Sequence, residues 1–536
     1  MKRKIITLIL AASVGLSLAA CGSASSASSS ASDTSGMAQS TASSSEEVSG
    51  TSASKTQPDT SDSSSSDTVI IGETSMVESI DPTNSGDPWS LTADGISETL
   101  YKQDENGNLV SHLADSVTQD DANTWTLKLK EGMKFSDGSP VDAQAVSDCI
   151  NDIMSNNQMA TASCGVITAT PKDDTTVTLS TERTTTVMES VLCEWTNVIY
   201  KKNQDGTYLF TGPYMLKNLD PGVTMELTPN PYYDDQASKR PNVILKKFED
   251  TTAMQQAFEA GEIDMAFTVT PDTAAALEGE GYTVKTIDAG YQYFSILNMA
   301  KDPLSDLHVR EAINLAMNRD DMITALQGGR VATGFFASYY PFDGDVKEKT
   351  DTDAAKKDLA TAGYTDSDGD GYLDKDGKKL SLSLITYASR PDLTTLMQLA
   401  ADELNDLGID VSTKIVDGID DVLASGDYDI AFYAQHTAPT GEPAYALNQF
   451  FRTGEGKNNN GYSNTTVDSL LDKMGTLPAG DERNKLAKEV QQQVYEDLPV
   501  VYLIDPQWHI AVSDKLANYT PYCGDYYVVN DQLGLD

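Results

Sequence analysis

Basic residues are scarce in this chain. Lys and Arg number 38 against 81 Asp and Glu over 536 residues, a formal net charge of -43. A nucleic-acid surface needs the opposite sign, and anionic lipid headgroups repel such a protein. Histidine occurs four times, at His112, His308, His436 and His509, and no spacing among them suggests a metal cluster or a His-dependent triad. HExxH, GxSxG and the phosphate-binding P-loop are all missing, which removes the local signatures of common hydrolases and nucleotidases. Cysteine is equally sparse. Of the five, Cys21 stands alone near the start, and Cys149, Cys164, Cys193 and Cys523 form no CxxC, which argues against zinc or redox chemistry. An oxidising compartment would permit three pairings of those four, but a body this large needs no staple, so buried free thiols are expected. Past the first twenty residues no stretch is apolar enough to span a bilayer.

What is present at the N-terminus is specific. Lys2, Arg3 and Lys4 precede an apolar run from Ile5 to Leu18, the layout of an export signal. It ends in Leu18-Ala19-Ala20-Cys21, which resembles the lipobox of bacterial lipoproteins. That resemblance implies removal of 1–20 and a diacylglycerol on the Cys21 thiol, and two acyl chains give stable anchoring. Residues 21–66 are Ser-rich with almost nothing apolar to bury, so a disordered tether is expected there. About 45 flexible residues reach roughly 35–40 Å. The chain is therefore expected outside the cytoplasm, held to the outer face of the cell membrane by its anchor alone.

From Asp67 onward the composition turns globular. "DTVIIGE" reads as a strand, and "NTWTLKLKEGMKF" (123–135) alternates Trp125, Leu127 and Leu129 with polar neighbours. "DLHVREAINLAMNRDDMITALQGG" (306–329) predicts one amphipathic helix closing on two glycines. "RPDLTTLMQLAADELNDLGIDVSTKIV" (390–416) predicts a helix with Pro391 in its first turn, a stop at Gly408 and then a strand. "DERNKLAKEVQQQVYEDLPVVYLI" (481–504) repeats helix then strand. Alternation of this kind argues for α/β lobes. In "DSDGDGYLDKDG" (366–377), Asp366, Asp368, Asp370 and Gly371 match the opening of a calcium loop. Gly377 stands where a bidentate Glu is required, so a polar turn is expected instead.

Several blocks then resemble one family, the extracytoplasmic solute-binding proteins of ABC importers for peptides and nickel. "WTLKLKEGMKFSDGSPVDAQAV" (125–146) is similar to its signature, and "TGPYMLKNLDPGVTMELTPNPYY" (211–233), "FEAGEIDMAF", "PLSDLHVREAINLAMNRDDMI" (303–323) and "LPVVYLI" follow in the family's order. The resemblance implies a two-lobed, type II periplasmic-binding-protein-like α/β fold, hinged around a cleft, with an extra subdomain in the first lobe. It would place the first lobe at 67–108, 201–298 and 506–536, the extra subdomain at 109–200 and the second lobe at 299–505. The implied function is a substrate-binding lipoprotein that captures a peptide or peptide-like solute and delivers it to a membrane permease, acting as a monomer with no cofactor and no bond made or broken. A nickel or metal-chelate binder of the same family is the alternative. A membrane-tethered hydrolase and a surface adhesin are more distant ones.

The resemblance also proposes site residues. In peptide binders an Asp ahead of the motif corresponding to Glu442-Pro443 holds the ligand ammonium; here that position is Pro439. In nickel relatives a Trp and a Tyr of the same loop surround the chelate; here Thr437 and Gly441 stand there. Arg390-Pro391 matches an Arg-Pro that takes a ligand carboxylate in dipeptide binders, a task suited to a planar guanidinium. His436, Thr437 and Glu442 fall in the specificity loop, with His436 a donor to a carboxylate or a ligand to a chelated metal. Trp89, Trp195 and Trp508 fall in segments near the family's cleft.

Overall fold

The computed structural model describes residues 68–84, 86–104 and 108–535; the export signal, Cys21 and the expected tether lie outside the described residues. Strand Thr68–Glu73 buries Val69 and Ile71 and lies inside a seven-stranded sheet. The order there is Tyr214–Asp220, Thr224–Pro229, Asn242–Lys247, Thr68–Glu73, Met265–Val269, Gln507–Val512 and Thr283–Asp288. A six-stranded sheet follows the order Arg330–Val331, Val500–Asp505, Tyr291–Leu297, Ile430–His436, Ser381–Tyr387 and Asp410–Val416. Strand Ile430–His436 is buried along its whole length, because helices cover both faces of this partly parallel sheet. Ala114–Asp121, Thr124–Leu129, Thr176–Thr181 and Ile167–Pro171 make a separate four-stranded sheet carrying helix Ala143–Asn156. Among the described residues no helix is long and apolar enough to cross a membrane.

Two passages join the large sheets. Strand Thr283–Asp288 ends in the first sheet and Tyr291–Leu297 begins in the second, paired from Tyr291 with His436 to Leu297 with Ile430. The crossing is therefore Ala289-Gly290, earlier than the 298 expected, because Tyr291–Leu297 has its hydrogen-bonding partners on the other side. The return runs through Pro506, between Val500–Asp505 and Gln507–Val512. Gly290 has φ +72, and a Cβ there would lie 2.6 Å from His436 Nε2 and 2.7 Å from Cys523 Sγ. Only glycine fits so close an approach in that conformation.

The single helix expected over 306–329 is two, Leu307–Ala316 and Arg319–Leu326. Asn318 caps the second by accepting from Asp320 N at 3.2 Å. Buried Arg319 terminates the first, donating to the carbonyls of Asn314 at 2.7 Å and Met317 at 2.8 Å. Side-chain donors here take carbonyls that a continuing helix would have satisfied. The four cysteines of the body are free thiols, Cys149, Cys164 and Cys193 buried and Cys523 half-buried.

Glu442 belongs to the scaffold. Its Oε1 accepts from Arg483 Nε at 2.5 Å and its Oε2 from Ala444 N at 2.8 Å, at the start of helix Ala444–Phe451. Arg483 lies in helix Asp481–Asp497 and also donates to the Leu477 carbonyl at 3.0 Å. The carboxylate expected to meet a ligand is thus engaged by the protein itself. Glu442→Ala leaves Arg483 buried without its counter-charge, and urea denaturation should show a loss of about 3–5 kcal/mol. Gly290→Ala forces a methyl against the His436 ring, and the same assay should show about 1–3 kcal/mol lost through overpacking.

Candidate functional site

Arg390 stands immediately before helix Pro391–Asp406, with Pro391 as its first residue. The preceding strand, Ser381–Tyr387, delivers it to the edge of the second lobe facing the first. There its Nη2 donates to Asp525 Oδ2. Asp525 comes from the C-terminal segment, which is tied to the first lobe by Val529 N donating to the Ala93 carbonyl at 2.8 Å. Tyr291 O–H donates to the other Asp525 oxygen at 2.6 Å. The guanidinium lies over Trp508, 4.9 Å from its ring centroid, and over Tyr291 at 5.3 Å. Such faces attract a cation through their quadrupole. Trp508 Nε1 donates to Tyr293 O–H at 3.0 Å, and Tyr293 donates to Asp392 Oδ2 at 3.0 Å, so the aromatic wall is fixed by hydrogen bonds. Burial pulls the Arg390 pKa down, but Asp525 and the surrounding tyrosines outweigh it and raise the value overall. The charge expected to meet a ligand carboxylate is therefore already met by Asp525. Only its buried Nε lacks a partner.

Beside this pair lies a cavity of about 130 Å³. Strand Thr68–Glu73 brings Glu73 to its wall, and the turn of helix Asp87–Ala93 brings Trp89 and the following Asp94. Thr268 lines it with φ 61, at the point where the ladder between Met265–Val269 and Gln507–Val512 slips register. A non-glycine residue in that region marks a bulge that re-aims a side chain. Arg390 supplies the second lobe's part of the wall. Asp94 is 5% exposed. Burial, then the nearby Asp525, pushes its pKa up to about 7. Burial, then Asp94 and Asp525, raises Glu73 well above the usual carboxylate range.

His436 ends strand Ile430–His436, its ring 5.4 Å from Tyr291 and 4.9 Å from Tyr526. Burial pushes its pKa down to about 3, so the ring is neutral, and Nδ1 has no partner. Thr437 is fully buried with Oγ1 unpartnered. Trp195 sits edge-on to Tyr445 at 6.5 Å, a contact between the segment after the small sheet and the second lobe, and Trp89 packs against the same cluster. Arg390, Trp508 and His436 thus meet around Tyr291, with Trp89 on the same cavity as Arg390 and Trp195 one layer away. Glu442 turns away to Arg483. Cys523 donates to the Asp288 carbonyl at 3.3 Å, and burial pushes its thiol up to about 11, which keeps it protonated.

Sequence reasoning missed Glu73, Asp94, Asp525 and Tyr291. With 81 acids in the chain, no local spacing distinguishes Glu73, Asp94 and Asp525. The Asp366, Asp368 and Asp370 carboxylates lie within 4.8 Å of one another at the surface, but Asp366 accepts from Gly369 N at 2.7 Å and Asp370 pairs with Lys379 at 3.0 Å. They make a polar turn.

Residues 108–458 match the family described as bacterial extracellular solute-binding proteins, family 5 Middle. The nickel-binding protein NikA of Staphylococcus aureus is 23% identical over 433 residues, 79% of this chain and 86% of that one. The crystal structure of Staphylococcus aureus NikA with Ni(L-His)2 is similar at a TM-score of 0.78 and 22% identity, covering 87% of this chain and 98% of the other. The oligopeptide-binding protein AppA of Bacillus subtilis, in complex with a nonapeptide, gives 0.74 at 22% identity, covering 86% and 97%. The fold is the two-lobed type II α/β fold of these neighbours, and with a match across most of its length the chain belongs to the bacterial extracellular solute-binding proteins of family 5.

Proposed function

We propose that this chain is the substrate-binding component of an ABC importer. It captures a peptide or peptide-like solute between its lobes and presents the closed form to a membrane permease. The observation that carries this reading is the cavity walled by both lobes, with Arg390 of the second bound to Asp525 of the first beside it. A ligand enclosed there is removed from water by two preformed surfaces, which is how a hinged receptor gains affinity. In this reading Arg390, Trp508, Trp89, Trp195, His436 and Thr437 form the ligand's surroundings and Glu442 their frame. The protein acts by binding and not by turnover, in keeping with a neutral His436 and a protonated Cys523 thiol. Cys21 carries the lipid anchor, the Ser-rich tether spaces the body from the outer face of the membrane, and one copy suffices for capture.

A second reading, a metal-chelate receptor, has one specific support. The buried His436 Nδ1 is without a partner, and neutral imidazole is a metal ligand. It also accords with the likeness to nickel-binding NikA.

Native mass spectrometry of the full chain in mild detergent separates the two. The peptide-like reading expects a one-to-one organic adduct, and the chelate reading expects the isotope pattern of nickel in that adduct. A bound solute at about 100 times its Kd should also stabilise the body by about 2.7 kcal/mol in thermal unfolding. A bare chain whose melting temperature no peptide or chelate shifts would contradict both.

A further inference from the structure

Arg183 follows strand Thr176–Thr181 of the four-stranded sheet, and its own side of the molecule holds half of its guanidinium. Nη2 donates to the carbonyls of Thr161 at 2.8 Å and Ala162 at 2.6 Å. The same stretch of chain is tied to the first lobe through Ile199 N, which donates to the Glu98 carbonyl at 2.8 Å. Nη1 is left facing the second lobe, where it donates to Glu455 Oε1 at 2.8 Å. The Glu455 side chain is only 10% exposed, so the pair is screened less than a surface one. Three residues on, Thr186 Oγ1 donates to the Leu477 carbonyl of the second lobe. That carbonyl also accepts from Arg483, the residue held by Glu442, so the frame of the site fixes the surface that Thr186 meets. Between these two contacts, Gly475 ends helix Thr465–Gly475, and a Cβ on it would lie 2.6 Å from the Thr184 carbonyl oxygen. Ala162, Trp195 and Tyr445 cover the same seam with apolar surface. None of the six residues Arg183, Thr184, Thr186, Glu455, Gly475 and Leu477 borders the cavity beside Arg390. None lies in the crossings at Ala289-Gly290 and Pro506.

We infer that residues 183–186 close on Glu455, Gly475 and Leu477 as a latch of the solute-bound form, so that the solute's dwell time is set partly by residues that never touch it. This rests on the solute-receptor reading and deepens it. A lone ion pair at a surface contributes little. Here the pair is joined to a hydroxyl–carbonyl bond, a backbone approach too close for any Cβ, and an apolar seal. All of these are lost together when the lobes part. A solute leaves from the open form, so contacts that exist only in the closed form slow release and leave capture unchanged.

Gly475→Ala tests the latch without unmaking the fold. Alanine is favoured over glycine in a helix, so the second lobe keeps its local stability while the new methyl obstructs the closed approach to Thr184. Glu455→Gln keeps the side-chain shape and removes the charge that Arg183 meets. Association and release are followed on the full chain in mild detergent, by stopped-flow tryptophan fluorescence with trialanine and with the nickel complex of L-histidine. Native mass spectrometry follows, on dilution, any adduct retained from expression. Release should be ~10-fold faster in Gly475→Ala and ~5-fold faster in Glu455→Gln, with association within about twofold of the natural chain. The solute-free melting temperature should stay within about 2 °C. A bound probe or adduct that leaves the natural chain and both variants at the same rate would overturn the latch and leave the receptor reading standing. So would a lowered melting temperature with unchanged release, which would make these contacts supports of the fold. The absence of any bound probe or adduct would remove the latch together with the receptor reading.

Discussion

Arg390 and Asp525 belong to different lobes, and their pairing brings two surfaces together that, among the described residues, the chain joins at Ala289-Gly290 and Pro506. The pair lies under the rings of Tyr291 and Trp508, with the carboxylate 4% exposed and the guanidinium 13%. Buried ion pairs tend to break even against their desolvation, so the value of this one is geometric and not a reserve of stability. It fixes where the second lobe meets the first. Tyr291 reinforces that position because it opens the second sheet immediately after the crossing while hydrogen-bonding to Asp525. His436, paired with Tyr291 across the sheet, brings the loop after strand Ile430–His436 to the same point.

The consequence is electrostatic. Burial first and like charge second raise the pKa values of Glu73 and Asp94, and Arg390 offsets part of the rise at Glu73. On the other side of Tyr291 the polar atoms are neutral, with His436 held uncharged and Thr437 fully enclosed. The frame behind it is held separately, by Glu442 and Arg483.

Much of the fold was legible in local pattern. Pro391 and Gly408 bracket helix Pro391–Asp406 ahead of strand Asp410–Val416, and the helix-then-strand order of 481–504 appears as Asp481–Asp497 and Val500–Asp505. The break at Asn318 was not legible, because periodicity continues across it and the terminating contacts come from Arg319 folding back onto carbonyls. The crossing at Ala289-Gly290 was misplaced for a similar reason: a strand's sheet is decided by distant partners such as His436, not by its own residues. In the site, Arg390 and His436 stood out because they are rare types in family-like blocks. Glu73, Asp94 and Asp525 did not, since their relation exists only once segments more than 400 positions apart are folded together. Glu442 looked available because Arg483, its partner, is remote in sequence.

The central claim is that two lobes close over a solute with Arg390 and Asp525 meeting across the cleft. Small-angle X-ray scattering tests it most directly, on the chain stripped of solute and again at full occupancy, for the natural sequence and for Asp525→Ala. The account predicts a smaller radius of gyration on binding in the natural sequence and a weaker contraction in the variant. Superimposable profiles for all four samples, with the solute demonstrably bound, would contradict it.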